Sequence, residues 1–345
     1  MTDPADVEVP PYYPDTDEVR GDIATHYDNI AYTDRMLGTL YDRLEREGLL
    51  ETSILIVSTD HGDGLPRMKR SVYDSGLRVP MIIRYPDERF AGTVDDQLIS
   101  FVDLAPSVLE IAGIEKPDWI QGQSFLGATA DEPRAYIFAA HDRTDDVKGY
   151  RRAVRDNRYK LIRNERAEDP YFSPLSFRDV LPTMKALWTA KEAGTLPAAA
   201  EPLFEPLPRL QLYDTLRDPH EINNLASDPS YAEESQRLER ALEDWIGLVG
   251  DMSEHPEEQM IEMFWPGGVQ PETLAPAVET TPVSQGFAVA LSSPTVGASV
   301  GYRFAGQDRW RLYVEPFNVD AGAVIEAKAI RYGYSESVVT ELTVE

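Results

Sequence analysis

Asp60-His61-Gly62 and Lys69 are the residues whose types and spacing first suggest chemistry. Asp60 offers a hard carboxylate oxygen, suited to a divalent cation. His61 offers a ring nitrogen that can ligate a metal or move a proton near neutral pH. Lys69 carries a compact positive charge on a long stem, suited to an anion. All three follow Ile54-Leu-Ile-Val57, an apolar run without alternation. Such a run reads as a strand buried on both faces of a parallel sheet. Ligands of open α/β sheets lie beyond the carboxyl ends of strands. The spacing therefore predicts that Asp60, His61 and Lys69 converge on one side of the sheet. At about 3.3 Å per residue, the intervening loop is long enough to return Lys69 over Asp60. Asp-His-Gly by itself is equally an ordinary turn bearing a surface histidine.

The loop continues through Tyr73-Asp-Ser-Gly-Leu-Arg-Val-Pro80 into a second apolar strand, Val79 to Tyr85. The stretch from Asp60 to Pro80 resembles the sulfatases of the alkaline-phosphatase superfamily, with Asp74 where that family usually has Glu. Asp103-Leu-Ala-Pro-Ser-Val-Leu-Glu-Ile-Ala-Gly113 and Leu212-Tyr-Asp, running on to Asn224-Leu225, match further segments of the same family. The tract from His141 through Leu225 is most similar to the sulfamidase branch, which cleaves N-sulfate from glucosamine in heparan-type chains. This resemblance implies a hydrolase acting on the sulfate ester or sulfamate of a sulfated sugar or polysaccharide. It implies a divalent metal, typically calcium, with Asp60 and His61 as the metal-binding pair and Lys69 as a sulfate contact. Calcium prefers oxygen ligands, so contact with the nucleophile or the sulfate is the alternative role for His61. The family's nucleophile is a formylglycine made from the first residue of Cys/Ser-x-Pro-x-Arg. The chain contains no cysteine and no Ser-x-Pro-x-Arg. The expectation is thus the C-terminal portion of a sulfatase, without a catalytic residue and without turnover of its own, whose partner is a separate N-terminal half.

The 345 residues suffice for two or three domains, and a formal charge of −27 argues against non-specific binding of nucleic acid. No apolar stretch approaches the ~18 residues of a membrane span. The first residues show no signal-peptide pattern. Lack of cysteine leaves the compartment open; a periplasmic or secreted location is expected for a full-length protein.

A long amphipathic helix is predicted from Asp17 to Gly48, with Ile23, Tyr27, Ile30, Leu37, Tyr41 and Leu44 in one stripe and Asp34 beside them. A second runs from an Asp103 N-cap to Gly113. Ala135 to Ala140 reads as a strand ending at His141, and Tyr150 to Ile162 as a hairpin. Between Arg143 and Arg166 stand nine Lys/Arg and four Asp/Glu. Most of these cations read as outward residues of an antiparallel sheet, paired with acids elsewhere. His141 and Arg152 are the candidates for gripping a sulfate, Arg152 bidentately. A helix over Tyr231 to Leu248 follows, then a Pro- and Gly-bearing linker, then β-rich runs resembling the C-terminal β-sandwich of chitobiases. Its Trp310, Tyr302 and Tyr332 suit either core packing or sugar stacking.

The predicted fold is α/β: a truncated sulfatase-type α/β sandwich (1–130), a smaller α+β antiparallel-sheet subdomain (131–248), a linker (249–275) and an all-β sandwich (276–345). Two other functions fit the same residues. One is a metal-dependent phosphoester or phosphonate hydrolase of the same superfamily; the other is a non-catalytic glycan-binding fragment.

Overall fold

The structure, a computed structural model, describes residues 1–127, 130–144, 147–253 and 255–345. It divides into two compact units, Met1–Asp251 and Met252–Glu345. The first contains α1 (Asp17–Arg46), β1 (Leu55–Ser58), α2 (Asp74–Leu77), β2 (Met81–Arg84), α3 (Leu104–Ile111), β3 (Ile137–Thr144), β4 (Val147–Arg155), β5 (Tyr159–Asn164), α4 (Pro182–Ala193), β6 (Leu210–Asp214) and α5 (Ala232–Val249). Among the described residues no helix is long and apolar enough to cross a membrane.

Helix α1 starts where the Thr16 hydroxyl accepts from the Val19 amide, with Asp17 and Glu18 in the first turn and Arg43 and Arg46 in the last. Both charge placements complement the helix dipole. Val19, Ile23 and Ala24 are its buried face. The Asp22 carboxylate accepts from the Thr183 amide (3.1 Å) and hydroxyl (2.6 Å), which pins α1 to the start of α4. The rest of the expected stripe is not buried: Tyr27, Ile30, Tyr41 and Asp34 are exposed. Periodicity marks an apolar face, but whether that face is buried depends on tertiary packing.

The strand before Asp60 also departs from expectation. β1 pairs with β2 alone and antiparallel, Leu55 opposite Arg84 and Ser58 opposite Met81. Both strands are only half-buried, and Ile82 is exposed. An apolar run reports burial, not strand direction. Direction comes from the connection, and the loop between Thr59 and Pro80 doubles back on itself.

The larger sheet is antiparallel throughout, in the order β3-β4-β5-β6. Alternate residues face opposite layers. Val154, Leu161 and Leu212 pack on Leu238 and Leu242 of α5. Ala153, Ile162 and Tyr213 join a core with Tyr13, Val19, Ile23, Tyr73, Phe172 and Leu187. This core draws on residues from both sides of the boundary expected near 130, so the two expected parts form one body.

On that face three ionic side chains meet in the interior. Lys160, 1% exposed, places its Nζ 2.8 Å from Asp74 Oδ1 and 3.0 Å from Glu221 Oε1. Arg155 Nη1 lies 3.0 Å from Asp74 Oδ2, and the Asp74 amide donates to Glu221 Oε2 at 2.5 Å. Burial pushes both carboxyls up. For Asp74, Lys160 and Arg155 outweigh burial and hold it below its ordinary value; for Glu221 burial prevails, reinforced by Asp74, and it stands above. Arg67 closes the cluster. Its guanidinium lies between the rings of Tyr12 (4.5 Å) and Tyr73 (3.7 Å) and donates to the Glu221 carbonyl at 2.8 Å.

The second unit contains α6 (Glu257–Phe264), β7 (Ala277–Pro282), β8 (Phe287–Ser292), β9 (Ser299–Phe304), β10 (Arg311–Leu312), β11 (Phe317–Val319), β12 (Val324–Ile330) and β13 (Thr340–Thr343). Sheets β10-β9-β12-β13 and β11-β8-β7 enclose a core of Val289, Leu291, Val300, Val319, Ile325 and Ala327. Tyr302 stacks on Phe317 at 4.2 Å within it, whereas Tyr332 is fully exposed. The expected linker is largely part of this unit. Residues 257–264 are helical, Trp265 Nε1 donates to the Gly333 carbonyl at 2.9 Å, and Thr273 Oγ1 donates to the Ser335 carbonyl at 2.8 Å. The Pro and Gly residues read as a linker instead turn the chain back onto the sandwich.

Two outcomes follow. Replacing Lys160 with Met leaves two buried carboxylates without their shared cation, which costs about 3–5 kcal/mol. Urea denaturation should show that loss, and an unchanged midpoint would show that the cluster does not stabilise the first unit. Limited proteolysis should cut beside Asp251, not throughout 249–275, and release a β-rich fragment that circular dichroism finds folded.

Candidate anion-binding site

The loop between β1 and β2 is shaped by two glycines. The Gly62 amide donates to the Gly76 carbonyl at 2.9 Å. A Cβ on Gly62 would sit 1.9 Å from the Ser75 carbonyl oxygen, and one on Gly76 would sit 2.3 Å from that of Met68. Only residues without a side chain allow this backbone crossing. It explains physically why Asp-His-Gly and Tyr-Asp-Ser-Gly occur together. The Lys69 amide then donates to the Asp63 carbonyl at 2.9 Å, and His26 Nε2 lies 2.7 Å from Asp63 Oδ1, tying the loop to α1. Arg67 (φ 65°) and Arg70 (φ 67°) both adopt the left-handed region on either side of Lys69. Such strain concentrates where function requires a particular placement.

Lys69, Arg70 and Arg67 form one wall of a pocket. His141 from β3, Arg151 from β4 and Arg178 from the loop before α4 form the opposite wall, with Tyr171 and Phe177 between. Lys69 Nζ and Arg70 Cζ lie 5.7 Å and 4.6 Å from the centre of the Phe177 ring. Among the described residues no Asp or Glu lines the pocket, although the chain carries a net −27. Burial and the neighbouring Arg151 push the His141 imidazole below its ordinary value, so it is neutral at pH 7. Burial also lowers Arg178, with Arg70 and Arg151 adding repulsion. A desolvated set of like charges is an anion receptor in waiting.

Sequence-predicted residues Lys69 and His141 meet in this pocket. Arg152 does not, which corrects its expected role. It is 4% exposed and its guanidinium is fully engaged, with Nη1 and Nη2 at 2.6 and 3.0 Å from Asp142 and Nε and Nη2 at 2.9 and 2.6 Å from Asp251. Strand parity is the reason. Residue 152 faces the α5 layer with Val154, while residue 151 faces the pocket with Ala153. Much of the basic tract is likewise paired with acids: Arg155 with Asp74, Arg158 with Asp214 and Arg163 with Glu243. Asp145 and Asp146 lie outside the described residues.

Asp60 and His61 end β1 but are not among the pocket's lining residues. Asp60 is exposed, with Oδ2 3.5 Å from His61 Nε2, and His61 Nδ1 lies 2.5 Å from the Gly62 carbonyl oxygen. Among the described residues no three His, Cys, Asp or Glu side chains group to hold a cation. Calcium takes six or more oxygens, so the donors present do not fit a complete metal site, and Asp60 and His61 form at most part of one. Arg67, Arg70, Arg151 and Arg178 were not singled out from sequence. The Arg151-Arg152 doublet was the available signal, since adjacent strand residues must face opposite layers.

Residues 4–114 match the sulfatase family, and residues 67–172 match the C-terminal domain of N-sulphoglucosamine sulphohydrolase. An ulvan-active sulfatase of Formosa agariphila is 40% identical over 342 residues, 97% of this chain and 57% of that protein. Human N-sulphoglucosamine sulphohydrolase is 29% identical over 70% of this chain and 51% of its own length. The chain therefore spans a little over half the length of these relatives. A Bacteroides fragilis protein assigned as a sulfatase shares the fold, with a TM-score of 0.51 at 20% identity over 71% of this chain and 47% of its own. Residues 4–114 therefore belong to the sulfatase family, and the chain is similar to a sulfatase over 97% of its length.

Proposed function

We propose that this chain contributes sulfate recognition to the hydrolysis of a sulfate ester or sulfamate on a glycan. The cationic pocket around Lys69, lined by Arg67, Arg151 and Arg178, carries the reading. In it, the Lys69 ammonium meets the oxygens of one sulfate group, while Phe177 and Tyr171 present faces for the apolar side of a sugar ring. His141, neutral at pH 7, orients a polar group without adding repulsion. Heparan-type N-sulfoglucosamine is supported by the match over 67–172 and by the human relative's name. An ulvan-type glycan is supported by the relative at 40% identity. No step is assigned to a metal, because Asp60 and His61 do not form a full donor set.

With neither cysteine nor Ser-x-Pro-x-Arg, the chain by itself binds without turnover. Exposed apolar side chains support a second polypeptide that brings the nucleophile. Ile30, Met36, Leu40 and Tyr41 of α1 and Ile82 of β2 are uncovered, and an isolated two-stranded sheet such as β1-β2 is marginal in water. A segment equivalent to the remainder of the longer relatives is the occupant we assign to this face.

Titration calorimetry with sulfated oligosaccharides from heparan and ulvan tests the reading. The purified chain should bind one of them, more weakly as salt rises. Lys69→Ala should cost about tenfold, one charge-assisted contact. Binding that ignores Lys69→Ala would refute the pocket assignment. Release of sulfate by the purified chain, lost on Asp60→Ala, would refute binding without turnover.

A further inference from the structure

Arg151 and Arg152 are neighbours in β4 with opposite circumstances. Arg152 is closed by two carboxylates. Arg151 is 8% exposed, and no carboxylate pairs with it among the described residues. Its guanidinium lies 4.9 Å over the Tyr171 ring and faces the pocket. A buried cation without a counter-charge is among the more costly arrangements in a protein interior. Two further arginines on the pocket walls keep some N–H donors unsatisfied. Arg178 Nε and, from the 3%-exposed Arg67, Nε and Nη1 are buried without a hydrogen-bond partner. Asp179, 3.8 Å from Arg178 Nε, is the acid nearest to that side chain and is not on the pocket lining. Lys69 lies beside Phe177, while Arg151 and Arg178 stack on Tyr171 and Phe172. One sulfate on Lys69 leaves the charge of Arg151 unanswered.

We propose that Arg151 and Arg178, with His141 beside them, form a second anion subsite, so that the pocket selects a glycan unit bearing two anionic groups: one sulfate at Lys69, and a carboxylate or second sulfate at Arg151. This rests on the reading of the pocket as a sulfated-sugar site and adds its specificity. The guanidiniums suit planar or forked anions that accept paired hydrogen bonds. His141 contributes a neutral imidazole edge. Gly149 permits the close approach, since a Cβ there would lie 3.0 Å from both the His141 ring and Arg151 Nη1.

Calorimetry on the whole chain with three ligands tests this: glucosamine N-sulfate with one anionic group, glucosamine 2-N,6-O-disulfate, and an N-sulfoglucosamine–uronate disaccharide. At least one doubly anionic ligand should bind ten or more times tighter than the singly sulfated one. Which of them gains identifies the second group as sulfate or carboxylate. Arg151→Gln and, separately, Arg178→Gln should collapse that ratio toward one, while Arg151→Lys retains a clear part of it; melting curves check that each variant is folded. If the singly sulfated ligand binds but the wild-type ratio is near one, or if the ratio survives both substitutions, the second subsite is refuted and the pocket reading stands. If no sulfated ligand binds the folded wild type, both fall.

Discussion

The contact of Lys160 with Asp74 and Glu221 is the constraint on which the first unit depends. Three ionised groups in a dry interior are costly apart and stable only together. Each comes from a different part of the chain: Asp74 from the loop after β1, Lys160 from the middle of the large sheet, Glu221 from the turn after β6. Holding both carboxylates within 3.0 Å of the Lys160 ammonium fixes the loop against the sheet. Arg67 extends the tie through Tyr12 and Tyr73 toward the N-terminal segment. Because Arg67 is only two residues before Lys69, the same cluster that stabilises the fold also sets where the pocket's cations stand.

The pocket is a product of electrostatic sorting. The basic tract of the large sheet meets the chain's abundant acids almost everywhere, and each pairing removes a cation from the surface. On the loop-facing side Asp74 and Glu221 meet Lys160 and Arg155, whereas among the described residues no carboxylate pairs with Arg151 farther along β4. Arg151 stays buried with an aromatic face for company, and His141 loses its proton to burial and repulsion. In a chain with a net −27, this gathers several cations in one concave place, which favours anions there.

Several features were legible in the sequence for clear physical reasons. Helices α1 and α5 appear because their apolar spacing follows a turn of 3.6 residues. The β4-β5 hairpin appears because alternation resumes across a polar turn. The roles of Gly62 and Gly76 are implicit in their motifs, since only a close backbone crossing demands glycine in both. Lys69 was found because it follows a strand, and His141 because an apolar run ends there, although β3 continues past it to Thr144. Strands β7 and β11 of the second unit were not read, the one being rich in Thr and Glu and the other three residues long. The acidic segment before them was read as a linker because nothing local shows that Trp265 and Thr273 bond to residues more than sixty positions away.

By itself, then, the sequence determined the family resemblance, the main helices α1 and α5, several strands and the presence of an anion-seeking lysine, because these depend on local pattern and on motifs a few residues long. Tertiary structure alone decided the rest. Pairing β1 with β2 antiparallel depends on how the loop between Thr59 and Pro80 returns, which no apolar run encodes. Choosing Arg151 over Arg152 for the pocket depends on which layer each strand face meets. Leaving Asp60 and His61 short of a full donor set depends on which other carboxylates come near, and that is a matter of distance in space, not position in the chain.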